Sequence, residues 1–96
     1  MEVCVDNIES IQNSIAGGAS RLELCSSLAE GGLTPSIGFF KVAKKISTIP
    51  IHVLIRPRGG DFLYSDEEIE IMAEDVEIFA KAGADGVVIG KNAQPE

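Results

Sequence analysis

The sequence predicts an α/β fold in which parallel strands alternate with helices. Short apolar, β-branched segments recur along the chain, and each is followed by a stretch whose apolar residues have helical spacing. A Gly-Ala helix stop followed by a polar residue precedes the second and the fourth of these segments, at Gly18 and Gly83. Strands separated by helices pair in parallel through right-handed crossovers. We therefore expect the order β-α-β-α-β-α-β.

Alternation and glycine stops predict the first β-α-β unit. Glu2–Val5 alternates as a strand does, and Asp6 provides an acidic cap for the helix that follows. This helix is expected to end at Gly17, because a glycine pair terminates the apolar stripe there. Residues 20–25 form the second predicted strand, and residues 26–32 form a polar loop that ends in glycine.

A capping threonine and a proline predict the second helix. Thr34 is expected to cap it and Pro35 to occupy its first position, where the missing amide hydrogen costs nothing. Its inner stripe is predicted to contain Ile37, Phe40 and Ile46. The third strand, residues 51–55, is apolar enough to be covered on both faces.

The third helix has a strong start signal. Ser65 and Glu68 are spaced as a capping box, and the helix is predicted to run to Gly83. Its expected inner stripe consists of Ile69, Met72, Val76 and Phe79. Residues 86–90 then form a fourth strand, and residues 91–96 are a polar, unpatterned tail.

Repeating βα units without a dinucleotide-binding glycine fingerprint predict a TIM-type barrel, of which four strands are about half. A whole barrel of this type typically needs ~250 residues, whereas this chain has 96. We therefore expect residues 1–90 to form a half barrel, as a fragment or a truncated isoform. The unpaired strands at its two edges predict self-association, in which two half barrels close one ring.

The composition of the chain limits the classes of partner that we expect it to bind. The net charge of −7 and the pI near 4.6 argue against nucleic acid and anionic membranes, because both select basic surfaces. No stretch approaches the ~18 apolar residues of a membrane span, and Met1 leads directly into a strand, so we expect a cytoplasmic protein. The two cysteines are expected to be reduced thiols.

Strand alternation predicts which side chains face the centre of the barrel. The aliphatic face of each strand must lie against the helices, so the other face points inward. The predicted inward residues are Glu2, Cys4, Glu23 and Cys25 on the first two strands, His52, Leu54 and Arg56 on the third, and Gly86, Val88 and Gly90 on the fourth.

This interior is unusually polar, since barrel interiors are ordinarily filled with branched aliphatic residues. Buried charges must be paired, so Glu2, Glu23, His52 and Arg56 are expected to compensate one another. One interpretation is a structural ion-pair network. The other is a pocket in which Glu2, Glu23 or His52 transfers protons, or in which arginines hold an anionic substrate.

The two cysteines are predicted to lie on the same face of adjacent strands, about 5 Å apart sideways. Two thiolates at that separation are suited to a soft ion such as Cu(I) in a two-coordinate site, whereas Zn(II) needs two more ligands. The alternative is that Cys4 and Cys25 are core residues acting as small hydrophobes.

The segment from Arg56 to Asp66 lies where the third strand ends, which is the edge where ligands bind in α/β folds. Arg56, Arg58, Gly59 and Gly60 are candidates for binding a phosphate or carboxylate. Alternatively, Arg58 pairs with Asp61 and merely holds the loop. Residues 30–32, a similar Glu-Gly-Gly sequence, are expected to form a turn.

The segments 2–5, 18–25, 30–38 and 55–66 together closely resemble the CutC copper homeostasis family. The resemblance runs from Met1 to Gly90 and implies a TIM-barrel protein that is cytoplasmic, usually oligomeric, linked to copper tolerance and thought to bind Cu(I). The copper cysteines proposed for the family match Cys4 and Cys25. Family members continue after the fourth strand with four more βα units, whereas this chain ends with residues 91–96.

Three hypotheses follow for function. The first is a copper homeostasis protein that binds Cu(I) through Cys4 and Cys25 without catalytic turnover. The second is a TIM-barrel metabolic enzyme that acts on an anionic small molecule held by Arg56 and Arg58. The third is an inactive truncated product, or one that pairs through its exposed strand edges.

Overall fold

A computed structural model describes residues 1–89, which form one four-stranded sheet and three α-helices. All strand pairs are parallel, and the strand order is β1-β2-β3-β4. The predicted α/β class, element order and pairing are therefore confirmed. Gly90 and the predicted tail 91–96 lie outside the described residues. The elements are β1 (Glu2–Val5), α1 (Ile8–Ala16), β2 (Arg21–Leu24), α2 (Ile37–Ile46), β3 (Ile51–Ile55), α3 (Asp66–Ala82) and β4 (Gly86–Ile89).

The predicted Gly-Ala helix stop occurs twice with the same geometry. Gly18 and Gly83 both have left-handed backbone conformations, with φ of 93° and 103°. Two residues later, the amides of Ser20 and Asp85 donate to a carbonyl of the neighbouring chain segment at 2.8 and 2.9 Å. Only glycine adopts this conformation without a steric penalty. The repeat therefore turns each helix directly into the next strand.

Two predicted helix starts are wrong by one or two residues. Asn7, not Asp6, caps α1 by accepting the Ser10 amide at 2.8 Å. Asp6 instead accepts the amide of Leu28, at the start of a 3-10 turn (Leu28–Glu30) in the loop predicted over residues 26–32. An acid and an amide are comparable caps, and tertiary contact decides between neighbours.

The second helix begins at Ile37, and Ser36 caps it by accepting the Phe39 amide at 3.0 Å. Thr34, the predicted cap, instead bonds the backbone of Arg56: its hydroxyl accepts from Arg56 N at 2.8 Å and donates to Arg56 O at 3.1 Å. Pro35 therefore precedes the helix. The capping box of Ser65 at the start of α3 is confirmed.

The core lies between the helices and one face of the sheet. Phe40 of α2 meets Phe79 of α3 edge to face, with ring centroids 5.5 Å apart. Two residues predicted for the inner stripes are exposed instead, Ile46 by 37% and Ile69 by 55%. Both lie on helix flanks that the other elements within residues 1–89 leave exposed. The buried core cluster is Val5, Ile11, Leu22, Leu24, Phe40, Ala43, Ile51, Val53, Ile55, Met72 and Phe79.

Candidate functional site

The sheet face opposite the helices carries a row of polar side chains. The parallel register places Cys4 beside Glu23, Glu23 beside His52, and His52 beside Gly86. Alternation along each strand directs these side chains away from the aliphatic core. We call Cys4, Glu23 and His52 the polar row. It contains a thiol, a carboxyl and an imidazole on three adjacent strands.

A salt bridge lies one step toward the amino ends of the strands. Arg21 donates from Nη2 to Glu2 Oε1 at 2.7 Å, and the two residues are register partners. The sequence prediction paired Glu2 and Glu23 with Arg56, which is wrong because Arg56 binds loop carbonyls instead. Arg21 was missed as the partner, although alternation places it on the same face as Glu2.

The pKa values of the two carboxyl groups on this face, Glu2 and Glu23, are shifted in opposite directions. The hydrogen bond from Arg21 lowers the pKa of Glu2, and a hydrogen bond with Glu23 lowers it further. Burial raises the pKa of Glu23, as do the hydrogen bond and the negative charge of Glu2. Two adjacent carboxylates cannot both ionise without penalty. Glu23 is therefore the one of the pair that retains a proton to higher pH.

His52 lies directly over Gly86. A Cβ atom at position 86 would come within 2.7 Å of the imidazole Cε1 and 2.9 Å of Nδ1. The glycine therefore provides the space that the imidazole ring occupies beside β4. This is a close approach of the kind that glycine permits in a strand.

The cysteines are diagonal neighbours rather than side by side. Cys4 is the register partner of Glu23, so Cys25 lies two residues further along the chain, just past the end of β2, where its amide donates to Val5 O at 3.0 Å. With a 3.3 Å rise per residue and 4.8 Å between strands, the two Cα atoms are about 8 Å apart. That separation is too long for a disulfide. The two residues lie on adjacent chain segments as predicted, but the offset along the strands was not predicted.

The environments of the two thiols differ. Cys4 is exposed, whereas Cys25 is buried beneath Gly32, with Sγ 3.6 Å from the position of a Cβ there. Burial raises the pKa of Cys25 to about 12, with contributions from Cys4, Asp6 and Glu23. Burial also raises the pKa of Cys4, followed by the charges of Glu23 and Glu2. Both thiols are therefore protonated at neutral pH.

Arg56 connects the loops that follow β2 and β3. Its Nη1 donates to the carbonyls of Glu30 and Gly32 at 3.0 and 3.1 Å, and its Nη2 to the carbonyl of Gly60 at 3.2 Å. The guanidinium also lies over the Phe62 ring, 5.1 Å from its centroid. Only 9% of Arg56 is exposed, yet its Nε has no protein hydrogen-bond partner among the described residues.

Arg58 holds residues 56–64, which we call the arginine loop, against the start of α3. Its Nε and Nη2 donate to the carboxylate of Glu68 at 2.6 and 3.2 Å, and Nη1 donates to the carbonyls of Gly59 and Asp61. The ion pair with Asp61, one of the two alternatives open from sequence, is present at 3.3 Å. All five N–H donors of Arg58 are therefore directed at protein acceptors.

Residues 30–32 form the predicted turn. Gly31 and Gly32 have φ of 87° and 94°, and these conformations aim the Gly32 carbonyl at Arg56. A Cβ on Gly31 would lie 3.0 Å from Arg56 Nη1, and one on Gly32 would lie 2.9 Å from Leu54 Cδ2. The turn therefore covers the sheet face near the carboxyl ends of β2 and β3.

Within residues 1–89, no group of three or more His, Cys, Asp or Glu side chains has the geometry of a metal site. A site formed by two thiols has fewer ligands than such a group. None of the helices formed by these residues is long and apolar enough to cross a membrane.

Comparison with known proteins identifies the family. The model of the CutC family matches residues 1–95. A CutC family protein of Vibrio campbellii is 63% identical over 90 residues, which cover 94% of this chain and 36% of that protein. A human protein named copper homeostasis protein cutC homolog is 59% identical over 94% of this chain and 33% of its own length.

A solved structure is also similar. The crystal structure of a copper homeostasis protein CutC from Streptococcus agalactiae superposes with a TM-score of 0.86 at 40% identity, over 94% of this chain and 44% of that one. The agreement supports the partial TIM-barrel fold. The chain spans about a third of the length of the curated relatives it matches. By the match over residues 1–95, this chain belongs to the CutC family.

Proposed function

We propose that this protein takes part in copper handling in the cytoplasm by binding one Cu(I) ion between Cys4 and Cys25. The observation that carries the proposal is the placement of both thiols on one side of the sheet, Cys4 on β1 and Cys25 just past the end of the adjacent β2. Thiolates select soft cations, and Cu(I) is satisfied by two ligands. The name of the human relative refers to copper homeostasis.

The diagonal arrangement supports a bridging ion over a disulfide. Metal–thiolate bonds are about 2.3 Å long, so a two-coordinate ion separates its sulfur atoms by roughly 4.6 Å. Side chains that lean toward each other from Cα atoms about 8 Å apart suit this span. Cys4 is exposed and provides the point of entry, while Cys25 supplies the buried ligand.

Copper must displace protons from both thiols. Their pKa values are raised, that of Cys25 to about 12, so the metal competes with protons throughout the neutral range. Release of two protons predicts an affinity that increases by up to about 100-fold per pH unit. Weak binding at pH 6 and tight binding at pH 8 is the expected pattern.

The test is an anaerobic Cu(I) titration against a competing chelator. Wild type is expected to bind one ion per chain, and Cys4→Ser and Cys25→Ser are each expected to lose it. His52→Asn is the matched control, because it changes the polar row without removing a thiol. Equal uptake by wild type and both serine variants would overturn the proposal.

A second candidate is an enzyme acting on an anionic small molecule, favoured by the Nε of Arg56 at the carboxyl edge of the sheet, which, like the Nε of Arg21, is buried without a protein acceptor among the described residues. An N–H donor without a protein acceptor is available to a ligand oxygen. Glu23, whose pKa is raised by burial, would act as the acid, while Glu2 or His52 would act as the base.

A thermal-shift panel of phosphorylated and carboxylated metabolites tests this candidate. A stabilising compound whose effect is lost in Arg56→Ala, but retained in Lys45→Ala, which removes an exposed cation of α2, would support it. Turnover of that compound by wild type and not by Glu23→Gln would assign the reaction. Absence of any shift across a broad panel would count against it.

A further inference from the structure

The buried thiol of Cys25 is covered by the loop that follows β2. Residues 26–33, which we call the cover loop, begin at Ser26 and end at Leu33, whose backbones bond each other at 2.8 and 2.7 Å. Gly32 is the one buried residue of this loop, and a Cβ atom there would lie 3.6 Å from Cys25 Sγ. Only 2% of Cys25 is exposed. The cover loop therefore limits access to this thiol.

The cover loop has few apolar contacts of its own. Residues 27–31 are all exposed, and Leu28 among them is 40% exposed. Three of its residues, Ser27, Gly31 and Gly32, have left-handed backbones, with φ of 51°, 87° and 94°. Segments that bury little apolar surface open at a lower free energy than the core. This loop is therefore suited to open while the sheet stays folded.

Two side chains from other segments hold the cover loop in place. Asp6, which follows β1, accepts the Leu28 amide with Oδ2 at 3.2 Å. Arg56, which follows β3, donates from Nη1 to the carbonyls of Glu30 and Gly32 at 3.0 and 3.1 Å. Gly32 is the residue that lies over the buried thiol. Asp6 and Arg56 thus act on that thiol through the loop, as positioning residues.

We propose that the cover loop is a gate over Cys25, held closed by Asp6 and Arg56, and that a soft cation meets the two thiols in a fixed order. Cys4 is exposed and binds the ion first. Opening of the cover loop then allows Cys25 to complete the site, so opening and not encounter is the slow step. The order of binding rests on the copper site proposed above, whereas opening of the loop does not require the metal.

Alkylation by iodoacetamide at increasing urea concentrations tests the gate without copper, with each cysteine followed by peptide mass spectrometry. Local opening exposes little surface, so the rate at Cys25 is expected to change little with urea until global unfolding becomes the faster route. Global unfolding exposes far more surface and gives a steep dependence on urea. A dependence as steep as that of global unfolding, extending to zero urea, would overturn the gate.

Asp6→Ala removes the acceptor of the Leu28 amide. It is expected to speed alkylation of Cys25 at zero urea by about threefold to tenfold, the change that one lost hydrogen bond produces. Asp6→Asn separates this bond from charge, because it keeps an oxygen acceptor but removes a charge that, after burial and Cys4, raises the pKa of Cys25. A smaller acceleration is expected in Asp6→Asn. Equal acceleration in both variants would overturn the role of Asp6 in holding the loop.

Asp85 offers a matched control, since its Oδ2 also accepts a backbone amide of another segment, that of Ile51 at 2.8 Å. This bond lies at the amino end of β3, whereas Cys25 follows the carboxyl end of β2. Asp85→Ala is expected to lower the urea midpoint of unfolding and to leave alkylation of Cys25 at zero urea unchanged. Equal acceleration in Asp85→Ala and Asp6→Ala would overturn the gate.

Arg56→Lys tests the second positioning residue. Lysine keeps the positive charge but lacks the rigid fork with which arginine reaches the carbonyls of Glu30 and Gly32 together. Alkylation of Cys25 is expected to be about tenfold faster at zero urea, with the shallow dependence on urea retained. An acceleration that comes with the steep dependence of global unfolding would overturn the role of Arg56 in the gate.

Anaerobic stopped-flow uptake of Cu(I) separates failure of the gate from failure of the copper site. Wild type is expected to show a first phase whose rate is proportional to the copper concentration and that is lost in Cys4→Ser. A second phase, independent of copper concentration, is expected to be several-fold faster in Asp6→Ala. A single phase proportional to copper concentration would overturn the order of binding. Absence of uptake, with the alkylation results as expected, would overturn the copper site while the gate over Cys25 stands.

Discussion

The arginine loop and the polar row contain similar residue types but use them differently. In the arginine loop, Arg56 and Arg58 direct nearly all their N–H donors at carbonyls and carboxylates of the protein. In the polar row, Cys4, Glu23 and His52 lie on an open sheet face, and burial, followed by neighbouring acidic groups, raises the pKa of Cys4 and Glu23. The loop is thus a structural clamp, whereas the row retains groups that can exchange protons or bind a ligand.

The largest expected effect is in the clamp. Arg56→Ala removes a buried guanidinium and leaves three loop carbonyls without their donor, so we expect a loss of about 3 kcal/mol in the free energy of unfolding. Urea denaturation measures it. Arg21→Ala is the comparison: its salt bridge is partly exposed, and a cost below about 1 kcal/mol is expected. Equal costs would remove the distinction between the two regions.

Two glycines provide a matched pair. Gly32→Ala forces a left-handed residue and a 2.9 Å approach to Leu54, so it is expected to destabilise the protein by about 1–2 kcal/mol. Gly86→Ala meets the His52 ring at 2.7 Å, but that ring lies on the open face and has space to rotate, so a cost below about 1 kcal/mol is expected. Thermal unfolding of both variants compares them. A larger loss for Gly86→Ala would show that the polar row is as rigid as the clamp.

A substitution in the polar row is expected to change the reactivity of the Cys4 thiol. Glu23→Gln removes a negative charge that raises the pKa of Cys4, so the thiolate fraction and the rate of iodoacetamide alkylation should rise several-fold at neutral pH. Glu9→Gln, remote from the row, serves as the control. An unchanged rate would mean that burial alone sets the pKa of Cys4. Cys25 is expected to react far more slowly in every variant, because it is buried.

The smallest effect concerns acid stability of the clamp. Arg58 lowers the pKa of Glu68 below 4.5, so the ion pair stabilises the folded state above that pH and is lost as the pH falls through the folded pKa. Glu68→Gln is expected to flatten the dependence of stability on pH below 4.5. The dependence is measured by urea denaturation at several acidic pH values. A curve identical to that of wild type would contradict a role for this pair.

Much of the fold could be predicted because its signals are local. The capping box at Ser65, the glycine stops and the strand alternation each depend on a few consecutive residues. The wrong predictions concern helix caps, where neighbouring polar residues compete for the capping position. Asn7 rather than Asp6 caps α1, where Asp6 accepts the Leu28 amide instead. Ser36 rather than Thr34 caps α2, because the Thr34 hydroxyl bonds the backbone of Arg56. Such recruitment depends on a residue more than twenty positions away.

Period-two alternation assigns Glu2, Cys4, Glu23 and His52 to the open face without reference to the neighbouring strands, so the residues alone predict which side chains share it. The separation of Cys4 and Cys25 and the acceptors that Arg56 binds follow from the folded arrangement. Neither is readable from local pattern, because strand register and guanidinium pairing are set by contacts between distant segments. Alternation fixes the direction of a side chain, but not the neighbour it meets.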